Sequence, residues 1–171
     1  MSANFIAGAY TFTYNSKAMG QCANGWRLAH TFFKRLITGD AGGRSPQDAV
    51  YQGREQTSEM TLIEVDEAAI PDIIDPYAGT VGTPWTMGVI GLLDVRGAGT
   101  GSPTSRCKTL IATAVTGTSA ANDTQATITA PLTIIHEEYP IQFLLGPDLR
   151  ELPLRFRHYP NMSTLLFGSN T

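Results

Sequence analysis

The sequence predicts a mainly β fold: an antiparallel β-sandwich or barrel with one short flanking α-helix. Several segments alternate apolar and polar residues with the period of two that one-sided strands have. Stretches rich in glycine and proline separate them, and only one segment has the apolar stripe of a helix. The 171 residues are enough for one substantial core, and no repeat or domain boundary is visible, so we expect a single domain over residues 1–171.

The clearest alternation lies near the end of the chain, in residues 150–159. From Leu152 to His158, every second residue falls on one face of an extended segment, while charged residues occupy the other face. This pattern predicts a strand with one buried face. Pro153 has no N–H to donate to a neighbouring strand, so this strand is expected at a sheet edge or at a local break.

The other predicted strands combine alternation with β-branched and aromatic residues, which favour extended structure. They are residues 9–14, 26–37, 55–65, 87–95, 106–115, 125–135 and 141–145. In the first of them Tyr10, Phe12 and Tyr14 share one face, and a turn is expected at residues 15–17. Residues 26–37 also fit a helical repeat, but Trp, Thr and two Phe are weak helix formers, so a strand is favoured.

One segment, residues 66–74, has the apolar stripe of a short helix. Asp66 is placed to cap its first turn, and Pro71 is tolerated only near a helix start, which limits the helix length. The acidic residues around the segment stabilise the helix start through the backbone dipole, so they do not require a catalytic carboxylate pair.

Two segments are predicted as loops. Residues 38–51 are dense in Gly, Asp, Ser and Pro, and the glycine-rich residues 97–103 are interpreted as a mobile tip. The first loop is long for a connection in a compact domain, and loops of that length are usually functional or mobile. Residues 161–171 are interpreted as a C-terminal tail with a polar end.

Composition limits the classes of protein that fit. Charged residues make up only 16% of the chain, which is low for a free monomer and suggests that other protein covers part of the surface. The net charge of −3 argues against specific binding of nucleic acid. The sequence has neither a secretory leader nor an apolar run of the ~20 residues that span a bilayer, so we expect a soluble protein made in a reducing cytoplasm. Cys22 and Cys107 are therefore expected as buried thiols, although the sequence leaves a disulfide open.

The sequence lacks the residue patterns of common catalytic and metal sites. Its histidines, His30, His136 and His158, are far apart and do not have metal-ligand spacing. The run from His136 to Glu138 is interpreted as a solvated strand end. No serine has a nucleophile elbow, and the glycines at 97–101 lack the Lys-Ser/Thr of a phosphate loop. We therefore expect no enzyme activity, no cofactor and no metal.

Four segments, which together span most of the chain, follow the pattern and order of one known family. They are residues 8–15, residues 48–53 running into 61–64, the end of the short helix at 75–77, and residues 149–156. On these segments the chain resembles the tail tube protein, also called the major tail protein, of long-tailed bacteriophages. Relatives of this fold also serve in tube initiation, tail completion and tail hubs, so the resemblance implies a structural protein of a phage tail.

The resemblance also implies how such a protein works. Six subunits form a ring whose sheets join around a central channel, rings stack through a long loop and the chain termini, and DNA passes through the channel during infection. Such a protein is made in the bacterial cytoplasm and resides in the virion. Its partners are copies of itself, other tail proteins and, in some phages, a sheath. The acidic net charge suits a conduit in which DNA slides without specific binding.

Two sets of residues are candidates for these roles. Glu55 and Glu59 share one face of the strand at 55–65 and are candidates for the channel lumen, with an ordinary solvated face as the alternative. Arg155 and Arg157 would hold DNA if they faced the channel, so we expect them on the outer or inter-subunit side. The full set of inter-subunit candidates is Asp40, Arg44, Asp48, Tyr51, Arg155 and Arg157.

Two alternatives stay open. A tail protein present once per particle, such as a tube initiator, tail terminator or hub, fits the same pattern. A carbohydrate-binding β-sandwich would use Trp26 and Trp85 as stacking platforms for sugars, although Trp26 lies in an alternating strand and is expected in the core.

Overall fold

The computed structural model describes residues 9–38, 45–66, 68–74, 107–118, 121, 126–138, 140–142, 151–161 and 167–170. Seven strands and one helix lie in these residues. They are β1 (Tyr10–Tyr14), β2 (Lys17–Thr38), β3 (Pro46–Val65), α1 (Ile70–Ile74), β4 (Lys108–Ala114), β5 (Thr127–Ile135), β6 (Leu152–His158) and β7 (Ser169–Asn170). The predicted strands at 87–95 and the predicted tip at 97–103 lie outside the described residues.

The strands form one antiparallel sheet in the order β4-β1-β2-β3-β6-β5-β7. Because β4 also pairs with β5, the first six of these strands close into a barrel, and β7 is added beside β5. The predicted class is therefore confirmed as a mainly β barrel with one short helix. Closure pairs the barrel strands on both sides along part of their length, which removes the sheet edges there.

The hairpin between β1 and β2 explains the predicted turn. Tyr14 pairs with Lys17, so Asn15 and Ser16 form a two-residue loop, and both have positive φ (52° and 64°). Two positive φ angles give the turn the twist that antiparallel strands need, and asparagine tolerates this conformation better than most residues.

The core lies inside the barrel and receives side chains from all six barrel strands. Tyr14 and Phe156 are at its centre, fully buried, with ring centroids 5.4 Å apart. The other buried members are Phe12, Met19, Met60, Leu62, Leu110, Ala112, Ala130, Ile135, Leu152 and Leu154, together with Ala69 and Ile73 from the helix region. The alternation in the sequence thus predicted the inward face of β1 and β6.

Helix α1 packs against the core and is anchored at both ends. The Ala68 N–H donates to Asp66 Oδ1 (2.9 Å), so Asp66 caps the turn that leads into the helix. The helix begins at Ile70 and not at residue 66 as predicted, and Pro71 is its second residue, where proline is tolerated. Asp72 accepts from Asn15 Nδ2 (2.9 Å) and forms an ion pair with Lys17 Nζ (2.9 Å), which ties the helix to the first hairpin.

Strand β6 explains why a proline is tolerated in a strand that is not at an edge. β6 pairs with β3 along its whole length but with β5 only near its end, from Phe156 to His158. The Arg155 carbonyl accepts from the His136 N–H (2.8 Å), so the backbone groups of Pro153 point to the same side, past the end of β5. The missing N–H of Pro153 therefore leaves no ladder bond unmade.

Three predictions about connections need correction. Thr38 ends β2 and residues 46–51 belong to β3, so the predicted loop at 38–51 is wrong at these residues. Ser45 is a bend outside the strands, and residues 39–44 are not described. Part of the predicted tail at 161–171 belongs to the folded sheet, because Phe167 is buried and residues 169–170 pair with β5. Of the strand predicted at 141–145, Ile141 and Gln142 are not in a strand, and the rest is not described.

Both cysteines are thiols, as predicted. Cys107 is buried, Cys22 is half-buried, and no disulfide joins them. Burial raises the pKa of the Cys22 thiol above its ordinary value, which favours the protonated, unreactive form.

Candidate functional site: a projecting β-hairpin arm

Strands β2 and β3 extend far beyond the barrel as a two-stranded hairpin. β2 pairs with β1 only at residues 17–20, and β3 pairs with β6 only at residues 56–62. Residues 31–38 and 46–55, named here the arm, therefore pair only with each other among the described residues. At ~3.3 Å per residue the arm projects roughly 25 Å from the barrel.

The arm exposes large apolar side chains on both of its faces. Residues that pair directly across the hairpin share a face, so the register assigns each side chain to one side. The outer face continues the outside of the barrel, and the inner face continues its interior. The exposed side chains, each between 43% and 64% exposed, are Phe33, Ile37 and Val50 on the outer face and Phe32, Leu36 and Tyr51 on the inner face.

A β-bulge decides which face Tyr51 occupies. The register shifts between Phe33, which pairs with Gly53, and Lys34, which pairs with Tyr51, so Gln52 is the extra residue. Gly53 has φ +133°, a conformation that glycine adopts without strain. The bulge places Tyr51 on the same face as Phe32 and Leu36, which simple alternation along β3 does not indicate.

Among the described residues, no third strand pairs with the arm. An isolated two-stranded hairpin is marginally stable in water, and unpaired strand edges are templates for pairing with another chain. Six exposed apolar residues on two faces also exceed the scattered apolar residues of a monomer surface. The arm therefore presents exposed apolar side chains and, among the described residues, strand edges without a third strand.

The inter-subunit candidates from the sequence fall in different places. Asp48 and Tyr51 are exposed on the arm, and Asp40 and Arg44 lie outside the described residues. Asp48 Oδ1 accepts only from the N–H of its neighbour Ala49 (2.7 Å) among the described contacts, and Asp48 forms no ion pair there.

The two glutamates and two arginines predicted on different sides of the subunit lie on the same outer face. Arg157 Nη2 is 2.8 Å from Glu55 Oε1, and Arg155 Nε is 3.4 Å from Glu59 Oε1. The prediction that the glutamates and the arginines lie on different sides is wrong. Strand β6 is the direct neighbour of β3, and Glu59 pairs with Arg155 in register. The second contact is an ion pair without hydrogen-bond geometry, since Arg155 Nε has no hydrogen-bond partner.

His136 belongs to this charged cluster. It is buried, so the interpretation of His136 as part of a solvated strand end is wrong, although Glu137 and Glu138 are exposed. The Glu138 N–H donates to His136 Nδ1 (3.2 Å), and Arg157 Nη2 lies 2.9 Å from His136 Nε2. Arg157 Nη1 also lies 3.0 Å from Glu137 Oε1, so one arginine joins β6 to the turn after β5.

A second histidine, His158, sits inside the barrel between two hydroxyl groups. Thr133 Oγ1 donates to the Ala130 carbonyl (3.0 Å), so it accepts from His158 Nδ1 (2.8 Å), and Ser58 Oγ lies 2.8 Å from His158 Nε2. Burial, and to a lesser degree the charge of His30, lower the pKa of His158 from 6.5 to about 4. Ser58 is fully buried, so this Ser-His-Thr arrangement offers no nucleophile to a substrate and is structural.

A cleft of about 330 Å³ lies at the base of the arm. Its walls are the inner face of β2 and β3 on one side and β5 with residues 167–169 on the other. Its lining includes Trp26, Leu28, His30, Arg54, Gln56 and Phe167. The Trp26 ring is half-buried and packs edge-on against Phe12 (5.8 Å, 72°), so it lies partly in the core, where the sequence placed it. Trp85 lies outside the described residues.

The fold and the arm define a closed antiparallel β-barrel protein with a projecting apolar hairpin. Comparison with models of protein families and with curated proteins finds no match to this chain. Within the described residues, no cluster of metal-ligating side chains is present, and no helix has the length and apolar character to cross a membrane.

Proposed function

We propose that this chain is a self-assembling structural protein of a bacteriophage tail, whose hexameric rings stack into the tube through which DNA leaves the virion. The observation that carries the proposal is the arm, which has apolar side chains on both faces and edges that pair with no other described strand. The hexamer, the stacking and the virion location follow the family resemblance.

The free energy gained by burying the apolar side chains of the arm is comparable with the cost of association. Burying the exposed part of one large apolar side chain contributes roughly 1 kcal/mol, so the arm contributes roughly 6 kcal/mol from its six. Association costs roughly 4–15 kcal/mol. Apolar burial alone is therefore marginal, and backbone pairing along the two arm edges, together with contacts repeated around a ring, supplies the rest.

The charges of the outer face suit a wall that does not bind DNA. Three arginines, Arg27, Arg155 and Arg157, stand beside Glu55, Glu59 and Glu137 on this side of the barrel, so the cluster has no net charge. A neutral cluster neither holds nor strongly repels phosphates. The lumen role of Glu55 and Glu59 stays a prediction. Both glutamates are paired with arginines, so they would not present free negative charges to the DNA.

The direct test removes the arm and keeps the barrel. Because Thr31 pairs with Glu55, an Asn-Gly turn can join these two residues in place of residues 32–54. The matched control is Ser16→Gly, which creates an Asn-Gly turn in the first hairpin and leaves the arm intact. Both variants and the intact chain are compared by circular dichroism, sedimentation velocity and negative-stain electron microscopy.

We expect the intact chain and the Ser16→Gly control to form stacked rings with a central channel, and the arm-deleted chain to be a folded monomer. Single rings that never stack would instead favour a tail component present once per particle. An intact chain that stays monomeric at high concentration, or an arm-deleted chain that polymerises normally, would refute the proposal.

A further inference from the structure

The cleft at the base of the arm combines apolar side chains with one cationic side chain. Trp26 lines it, and its Nε1 is buried and has no hydrogen-bond partner among the described residues. Leu28, Ile128 and Phe167 supply an apolar wall beside it.

Arg54 gives the cleft a positive charge. Its guanidinium lies 4.8 Å from the centre of the Phe167 ring, a cation–π contact that holds the group at the rim. Arg54 on β3 is exposed and forms no ion pair in the described part of the chain, whereas Arg155 and Arg157 on β6 are both paired. A carboxylate next to apolar groups therefore has the chemistry that fits this cleft.

The arm carries such a group. Asp48 is exposed on the outer face, and Ile37, its direct partner across the hairpin, and Val50 stand beside it on the same face. Within one chain Asp48 is six residues from Arg54 along β3, roughly 20 Å at ~3.3 Å per residue, and the two side chains are on opposite faces. Asp48 therefore reaches an Arg54 only in another copy.

We propose that the arm of one copy docks into the cleft of a second copy, with Asp48 paired to Arg54 and with Ile37 and Val50 against Leu28 and Phe167. This inference rests on the proposed self-assembly and specifies the contact that carries it. The arm is the donor and the cleft is the acceptor, so the contact is head-to-tail and propagates from copy to copy around a ring or along a stack.

A charge exchange tests the pairing. Asp48→Arg and Arg54→Glu are each expected to raise the concentration needed for assembly by about tenfold or more, because each places like charges in contact. The double variant restores the opposite charges and is expected to assemble within about threefold of the intact chain. Glu64→Arg, at the far end of β3, and Lys108→Glu, on β4, are controls for charge change alone.

A second measurement detects the contact directly. Two differently tagged chains, one with Asp48→Cys and one with Ser169→Cys at the cleft rim, are mixed under mild oxidation. We expect a mixed disulfide between the tags, and none when Glu64→Cys replaces Asp48→Cys.

The outcomes separate this inference from the proposed function. If the intact chain assembles but the single charge variants assemble equally well, or the double variant is not rescued and no mixed disulfide forms, the docking contact is wrong and self-assembly stands. If the intact chain is monomeric, both the docking contact and the proposed self-assembly are wrong.

Discussion

Arg157 holds two carboxylates from different parts of the barrel: its Nη2 lies 2.8 Å from Glu55 Oε1 on β3, and its Nη1 lies 3.0 Å from Glu137 Oε1 in the turn after β5. The same guanidinium contacts the buried His136. One side chain therefore links three consecutive elements of the sheet at the point where the arm leaves the barrel.

Arg157 should matter more for stability than its neighbour Arg155. Arg157 is 25% exposed and makes short contacts, whereas Arg155 is 38% exposed and its 3.4 Å contact lacks hydrogen-bond geometry. We expect Arg157→Ala to lower the free energy of unfolding by about 1–2 kcal/mol and Arg155→Ala by about 0.5 kcal/mol or less. Urea denaturation measures both values, and equal losses would contradict this ranking.

Stability should fall as the pH falls from 7 to 4. Because the pKa of His158 is about 4 in the folded barrel and 6.5 when unfolded, the unfolded chain binds more protons between these values. The contribution of the neutral His158 ring to the free energy of unfolding is therefore fully present above pH 6.5 and is lost as the pH falls towards 4. The expected loss is about 3 kcal/mol, measured as the free energy of unfolding in urea at several pH values.

The control for this prediction is His158→Gln, which cannot titrate. The difference between the two chains isolates the contribution of His158 from those of the other histidines and the carboxyl groups. If the intact chain and His158→Gln lose stability in parallel between pH 6.5 and 4, the buried ring is not responsible.

Gly20 should be harder to replace than Gly117. Both have positive φ (103° and 89°), so alanine is strained at either position. A Cβ at Gly20 would collide with the backbone carbonyl of Glu64, whereas a Cβ at Gly117 would meet open space. We expect Gly117→Ala to cost about 1 kcal/mol and Gly20→Ala at least about 3 kcal/mol. Thermal unfolding of the two variants measures the difference, and similar melting temperatures would contradict it.

Polar substitutions on the arm should remove assembly without unfolding the barrel. Phe32 and Phe33 point to opposite faces and are 64% and 46% exposed. We expect Phe32→Ser with Phe33→Ser to change the free energy of unfolding by about 0.5 kcal/mol or less per site. Phe12→Ser, in the core, should cost about 3–5 kcal/mol. Sedimentation and urea denaturation test both statements, and normal polymerisation of the arm variant would contradict the first.

The inward faces of the strands were predictable because a strand sets its own side-chain period. Leu152, Leu154, Phe156 and His158 are buried as the alternation indicates. Asp66 accepts a backbone hydrogen bond as its side chain predicts, although the helix begins only at Ile70. The strand at residues 26–37 was also predicted from β propensity.

Residues 46–51 were predicted as loop because Pro, Asp and Gly dominate their neighbourhood. In the structure they are extended because they pair with β2, a contact between residues on opposite sides of a hairpin. Local propensity was overridden by backbone hydrogen bonds that no single segment contains.

By itself, the sequence predicted the β class, one short helix within residues 66–74 and the buried faces of β1 and β6. These properties depend on neighbours in the chain, whose geometry the backbone sets locally. Only the tertiary structure decided that Arg157 meets Glu55, that His136 and His158 are buried, that the Gln52 bulge aligns Tyr51 with Phe32, and that the barrel closes between β4 and β5. These depend on strand order and register, which arise from hydrogen bonds between residues distant in the chain.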